Sequence, residues 1–304
     1  MNDLLETAVP TIKTSSADMF SAISESLSES DFLLFQQLIE KEAGIHLTPE
    51  KKALLVGRLT RRLRELRIPC LRNYYQRVVT DPDELTRMLD CISTNETHFF
   101  REPSHFEFLS QKLLPWWSDL AKVGGRPRQV RAWSAGCSTG EEPYSLAMTL
   151  LEHFPSSSGW QIEILATDLS TRVLKTAHES EWPIEKAQEI PGGRLKTYML
   201  RGTGAQEGKM KAGPEIRQVV RFERLNLLEA SSYPKSKMFD LIFCRNVLIY
   251  FQPETKQQVV QRLLNHLAPD GYLFVGHSES LSHLTDALRS VIPTVYTRNR
   301  AGRG

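Results

Sequence analysis

The 304-residue sequence has few of the features that assign a protein quickly. Its four cysteines are Cys70, Cys91, Cys137 and Cys244, and none is in a C-x-x-C pair. Zinc-binding and dithiol redox motifs are therefore not indicated, and no metal ligand set is expected. No window approaches the ~20 apolar residues of a membrane-spanning helix. The most apolar run, L-I-F-C-R-N-V-L-I-Y-F from Leu241, is broken by Arg245 and Asn246. The N-terminus has no basic stretch leading into an apolar core, so no signal peptide is expected. Unpaired cysteines fit a reducing compartment, and the expected location is the cytoplasm. Excess charge is missing too. Lys and Arg number 38 against 36 Asp and Glu, a net +2. The whole molecule is not a polycation built for nucleic acid, so any basic surface must be local.

Seven serines lie between Ser15 and Ser30 with few large apolar groups, so residues 1–30 read as a disordered leader. From Asp31 apolar residues recur three and four apart, and Gly44 can stop that helix. Thr48-Pro49-Glu50 reads as the start of the next helix, with Thr48 as N-cap and Pro at the first helical position. In that helix Leu55, Leu59, Leu63 and Leu66 share a face, and further helices are expected over 71–80 and 82–92. Residues 31–93 thus form an expected all-helical domain, followed by a linker over 94–129. From Val130 short apolar runs alternate with helical stretches, which implies a parallel, doubly wound sheet over 130–304. Residues 181–220, with P-G-G and R-G-T-G-A-Q-E-G, are too long for a simple connection and read as an inserted small β subdomain.

The first strand runs into S-A-G-C-S-T-G-E-E at Ser134 to Glu142. A phosphate-binding P-loop needs a lysine after its last glycine, but Glu141 follows Gly140. A dinucleotide fingerprint needs G-x-G-x-x-G, but the spacing here is Gly136-x-x-x-Gly140. Two glutamates at a helix start also oppose a second anion. A cofactor with an adenosine part and positive charge suits this turn, which points to S-adenosyl-L-methionine. Asp168 ends the second strand about 30 residues on, where Rossmann-like folds place a ribose-binding acid. The competing reading is that the glutamates complement the helix dipole and that Asp168 caps the next helix.

Four blocks resemble the CheR family, the bacterial chemoreceptor glutamate methyltransferases. They are S-T-N-E-T-H-F-F-R-E from Ser93, S-T-G-E-E-P-Y-S from Ser138, F-D-L-I-F-C-R-N-V-L-I-Y-F from Phe239 and G-H-S-E-S from Gly276. The resemblance spans Asp31 to Arg298. It implies an α/β fold: a Rossmann-like S-adenosylmethionine methyltransferase sheet with an inserted small β subdomain, preceded by a small all-helical N-terminal domain. It further implies methyl transfer from S-adenosyl-L-methionine to glutamate side chains of chemoreceptors, leaving S-adenosyl-L-homocysteine. The implied cofactor-binding residues are Asn95, Thr97, Arg101, Glu142, Asp168, Asn226, Leu227, Arg245 and Asn246. Arg101 and Tyr250 resemble the family residues beside the transferred methyl, and Glu142 rather than Glu141 is the expected direct contact. A glutamate nucleophile has a reference pKa of ~4.3 and is ionised at neutral pH, so no general base is required.

Lys51 to Arg72 holds eight basic residues against one acid, Glu65. A solvated helix face, nucleic-acid binding and docking on an acidic partner all fit such a run. The family resemblance favours glutamate-rich helical segments of chemoreceptors, with Arg58, Arg61, Arg62 and Arg64 as docking residues and no nucleic acid partner. It also implies that the inserted β subdomain can grip a receptor C-terminal peptide by strand addition. No direct membrane insertion is expected.

Overall fold

The structure, a computed structural model, describes residues 27–235 and 238–299. The expected leader lies outside these residues apart from 27–30, where Leu27 is buried and Ser28 Oγ accepts the Asp31 amide at 3.0 Å. Helix α1 (Glu29–Ala43) therefore starts two residues before the expected position. The described chain divides into two units, residues 27–38 with 47–92 and residues 39–46 with 93–299.

The first unit is helical. After a 3₁₀ turn over Pro49–Lys51 come α2 (Lys52–Leu66), α3 (Leu71–Thr80) and α4 (Pro82–Ile92). Thr48 makes no side-chain cap, so the proline-led turn is 3₁₀ and the α-helix begins only at Lys52. Leu55, Val56, Leu59 and Leu63 form the buried stripe of α2. α2 ends without glycine: Arg67 turns left-handed at φ 54°, and the Ile68 amide reaches back to Leu63 O at 2.9 Å.

The second unit is built on a seven-stranded sheet of order β6-β2-β1-β7-β8-β10-β9. These strands are β1 (Gln129–Ala135), β2 (Gln161–Asp168), β6 (Val220–Arg224), β7 (Phe239–Cys244), β8 (Leu267–Val275), β9 (Leu288–Ile292) and β10 (Val295–Arg298). The first five in spatial order are parallel, and β10 pairs antiparallel with both β8 and β9. The sheet is thus mixed rather than wholly parallel, and β9 had no counterpart in the sequence reading. Central strands β1 and β7 are buried almost throughout, as strands covered on both faces must be. Alternate residues serve the two faces. Ala132, Leu241 and Phe243 join a core with Phe106, Leu109, Leu146 and Leu150. Trp133, Ile242 and Cys244 join a second core with Val259, Val260 and Leu263. Edge strand β6 exposes Arg221, Glu223 and Arg224, which discourages further pairing.

Before β1, α5 (Pro103–Phe108) passes through a π-helical turn, Leu109–Leu113, into α6 (Leu114–Lys122). α7 (Glu141–His153) follows β1, α8 (Thr171–Glu179) follows β2, and α11 (Pro253–His266) precedes β8. The long connection carries β3 (Glu181–Pro183), α9 (Gly192–Tyr198), β4 (Met199–Arg201), β5 (Lys209–Ala212) and α10 (Pro214–Arg217). Its strands form a separate antiparallel sheet of order β3-β5-β4.

Candidate active site

The glycine turn after β1 is fixed by its backbone. Gly136 has φ 88°, and a Cβ there would lie 2.4 Å from Val247 Cγ2. Only glycine lets the loop after β7 come this close. Both Gly136 N and Cys137 N donate to Thr167 O, at 2.8 and 2.9 Å, which ties the turn to β2. Asp168 completes the tie: its Oδ2 accepts the Ser138 amide and its Oδ1 the Ser170 amide, both at 2.9 Å. Ser138, left-handed at φ 49°, donates its hydroxyl to Asn95 O at 2.9 Å. Asn95, the turn and Asp168 are thereby linked at the carboxyl ends of the parallel strands, where doubly wound sheets bind ligands.

The two glutamates are not free charges. Glu141 is fully buried, accepts from Thr139 Oγ1 at 2.7 Å and pairs with Lys186 Nζ at 2.6 Å. Glu142 accepts from Ser134 Oγ at 2.6 Å and from Arg245 Nε at 2.7 Å. Each carboxylate has its own cation, so the electrostatic argument from two unpaired negative charges does not stand.

Arg245 itself is buried. Its Nη1 donates to Arg101 O at 2.5 Å, and its guanidinium lies 5.4 and 5.5 Å over the rings of Phe243 and Phe106. It forms a junction between β7, α7 and the segment around Arg101. His105, fully buried on α5, faces it. Thr294 Oγ1 donates to Pro293 O at 2.7 Å, so it must accept from His105 Nε2 at 2.9 Å. That leaves Nδ1 to accept from Arg245 Nη1 at 3.3 Å. Burial first, then the charges of Arg245 and His277, push the His105 pKa down to about 3. Glu102, His105 and His277 bring one donor atom each within 4.8 Å of one another. Arg245 Nη1, 3.5 Å from Glu102 Oε2, already puts a positive charge among them.

The remaining expected residues lie on neighbouring loops. Asn226 follows β6, and Leu225 N donates to Asp168 O at 3.0 Å. The Asn226 side chain donates to Glu42 O at 2.8 Å and accepts the Leu228 amide at 3.0 Å, so it shapes its own turn. Leu227 is buried, and its carbonyl accepts the Tyr233 hydroxyl at 2.9 Å. Asn246 is left-handed at φ 58°, and its amide donates to Glu279 Oε2 at 2.7 Å. Tyr250 closes the following 3₁₀ turn, its carbonyl accepting from His46 N at 2.9 Å. Thr97 O is held by Lys186 at 3.0 Å. Arg101, partly exposed, donates to Glu96 O at 3.0 Å, between the left-handed Phe100 (φ 53°) and Glu102 (φ 59°). Non-glycine residues in this conformation store strain and cluster at functional sites.

Sequence reading did not assign roles to several residues of this site. Glu279 is 1% exposed and accepts the amides of Asn246, Gly276 and Ile249 at 2.7, 2.6 and 3.0 Å. Burial raises its pKa while these amides pull it back. Its only signal was its place in G-H-S-E-S. His105, Lys186 and Glu189 gave none, because their partners are distant in sequence.

The four arginines expected at a docking face belong to the helical unit, and they divide. Arg62 is held by Glu84, with Nε to Oε1 at 2.8 Å and Nη2 to Oε2 at 2.6 Å, and Tyr74 also donates to Glu84 at 2.8 Å. Arg58 donates to Ile92 O. Both make hydrogen bonds inside the unit. Arg61 and Arg64 are exposed, on the same side as Ala53, Leu54 and Gly57.

A mixed seven-stranded sheet with a glycine turn after β1 and an acid ending β2 defines the class of Rossmann-like domains that bind a ligand at the carboxyl ends of their strands. Residues 95–297 match the CheR methyltransferase SAM binding domain, and residues 30–93 match the CheR methyltransferase all-alpha domain. Chemotaxis protein methyltransferase 2 of Pseudomonas aeruginosa is 39% identical over 89% of this chain and 93% of its own length. The chemotaxis protein methyltransferase of Escherichia coli is 38% identical over 90% of this chain and 92% of its own. The chain belongs to the CheR methyltransferase family: it is an S-adenosylmethionine-dependent methyltransferase of chemotaxis.

The site suits this cofactor. Among the described residues, Asn95 Nδ2 and Asn246 Oδ1 are buried without a hydrogen-bond partner. A buried polar atom left unpaired costs about 1–3 kcal/mol, so a donor and an acceptor stand ready for a polar ligand. No described helix is long and apolar enough to cross a membrane.

Proposed function

We propose that this enzyme methylates glutamate side chains of chemoreceptors at the cytoplasmic side, forming γ-methyl esters. The observation that carries the reading is Arg101, held between two left-handed residues in a segment tied by Asn95 to the glycine turn. Bound S-adenosylmethionine supplies an electrophilic methyl group on a sulfonium. The work left to the chain is orientation and exclusion of water. Arg101 offers a planar fork that suits a carboxylate, and part of its donor set is already occupied by Glu96 O. It therefore orients the glutamate without tying up both oxygens. Tyr250 supplies a hydroxyl and an aromatic wall. Asn95, Thr97, Asp168, Asn226, Leu227 and Asn246 line the cofactor side, while Glu142 and Arg245 hold that wall together. No base is needed, since a glutamate with a pKa of ~4.3 arrives ionised, and His105 is locked neutral.

Arg61 and Arg64, beside Ala53, Leu54 and Gly57, are the face of α2 that meets a glutamate-rich receptor helix. The small residues admit a second backbone, and the arginines supply the complementary charge. The edge strands β3 and β4 of the small sheet suit a receptor C-terminal peptide adding as a further strand.

The test is incubation of purified enzyme and methyl-labelled cofactor with receptor-containing membranes. Base-labile label on the receptors is the expected result, lost with Arg101→Ala and with cofactor binding preserved in Tyr250→Phe. Base-stable label, or wild-type turnover by Arg101→Ala, overturns the reading.

A further inference from the structure

Four side chains of the inserted segment reach the cofactor segment and the glycine turn. Lys186 Nζ donates to Thr97 O at 3.0 Å and to the buried Glu141 at 2.6 Å. Glu189 Oε2 accepts the Phe99 amide at 2.8 Å. The Trp182 indole N–H donates to Thr139 O at 3.2 Å, and its ring meets Phe99 edge-on at 5.1 Å. Arg194 lies 4.9 Å over the Phe100 ring, fixed there by Glu152 at 2.6 Å. These contacts converge on Thr97, Phe99 and Phe100, immediately before Arg101. A left-handed Phe100 persists only if its surroundings over-determine it. Ser145 Oγ, accepting the Phe100 amide at 2.9 Å, holds it from the opposite side.

We propose that Lys186 and Glu189, both on the 3₁₀ segment Ile184–Glu189 of the insertion, are positioning residues that set the cofactor segment 95–102. The insertion is then a working part of the transfer site as well as a carrier of the small sheet. The inference rests on reading segment 95–102 as facing the cofactor. Lys186 acts twice. It fixes the Thr97 carbonyl, and it neutralises Glu141 so that a fully buried carboxylate can open α7 beside the glycine turn. Without that cation a fully buried carboxylate is left unpaired at the start of α7, which disturbs the turn. Glu189 supplies the acceptor for a backbone amide two residues before Arg101. The segment that carries both is pinned to the small sheet through Ile184 N and Gly208 O at 2.9 Å.

The experiment measures S-adenosylhomocysteine affinity by calorimetry on the full chain, with kcat and KM for receptor membranes alongside. Lys186→Met and Glu189→Ala are each expected to weaken binding about tenfold, the size of one lost charge-assisted hydrogen bond. Receptor KM is expected to stay unchanged. Glu189→Gln keeps an acceptor oxygen and should restore affinity, and Lys196→Ala, exposed on α9 of the same insertion, should bind as wild type. A merely structural role would lower the unfolding temperature and leave the affinity of the folded protein unchanged. Wild-type affinity in both Lys186→Met and Glu189→Ala overturns the proposal. If Lys186→Met does not fold, Glu189→Ala against Glu189→Gln decides it alone. Homocysteine-cofactor affinity is read without any methyl acceptor, so a wrong acceptor in the proposed function would leave this result standing.

Discussion

Arg245 Nε donates to Glu142 Oε2 at 2.7 Å, joining the loop after β7 to the first turn of α7 across 103 residues of sequence. Both side chains are almost wholly inside the protein. Both are expected cofactor contacts, and they also satisfy one another, while the same guanidinium secures the Arg101 carbonyl. The distinction matters because a contact residue and a junction residue fail differently when removed.

Arg245→Ala should therefore lose stability as well as activity. It strands Glu142 beside Ser134 with no cation and leaves the Arg101 carbonyl without its donor. Breaking a buried pair on one side costs roughly 3–5 kcal/mol. Urea unfolding of the full chain measures this, and a loss confined to cofactor affinity, with an unmoved midpoint, contradicts the junction role. Arg245→Lys should recover little, because a point charge cannot reach Glu142, Arg101 O and His105 together.

The acid limb of stability should carry a mark of His105. In the unfolded chain its imidazole takes a proton near its ordinary pKa of ~6.5, whereas in the fold it stays neutral down to about 3. Between those values the unfolded state binds more protons, so stability falls as pH falls and is retained above the unfolded pKa. One such group contributes a slope of about 1.4 kcal/mol per pH unit in that window. His105→Gln keeps a donor for Thr294 and an acceptor for Arg245 but cannot titrate. Its urea midpoint should therefore fall less steeply between neutral and mildly acid pH than that of wild type. Parallel profiles for the two proteins would show that His105 does not titrate as its surroundings require.

The sequence made the helices over 71–80 and 82–92 legible, because their apolar spacing is local. Gly44 as the stop of α1 was legible for the same reason: only glycine takes φ 70° there at no cost. The sheet's parallel half followed from alternation of strands and helices. Its antiparallel end did not, since β9 is a half-exposed edge with R-S at its centre and no apolar run. The site residues were named through short blocks, but their partners were not. Glu141 finds Lys186 across 45 residues, and Asn246 finds Glu279 across 33. Pairing over such separations, by charge or by hydrogen bond, is a property of the folded chain, so the glutamates of the glycine turn looked unpaired in the sequence alone. The same blindness placed four arginines of α2 on one docking surface, although Glu84, which claims Arg62, lies a whole helix away.

That last case gives a test that separates docking from folding within one helix. Arg62 is 14% exposed at its side chain and grips Glu84, itself 1% exposed, with two hydrogen bonds. Arg61, one residue earlier, is 89% exposed and pairs with Glu65 on the surface, an arrangement that contributes little to stability. Arg62→Ala should destabilise the helical unit by up to roughly 3–5 kcal/mol, because the buried Glu84 loses its two-bond partner and keeps Arg87 at 3.9 Å and the Tyr74 hydroxyl. Arg61→Ala should leave the unfolding midpoint in place and raise the KM for receptor membranes severalfold, most clearly at low ionic strength, where exposed charges are least screened. Adding salt to the wild-type protein should reproduce the Arg61→Ala phenotype. If Arg61→Ala keeps wild-type KM at low salt, the outward face of α2 is a solvated helix surface, and receptor recognition must come from elsewhere on the chain.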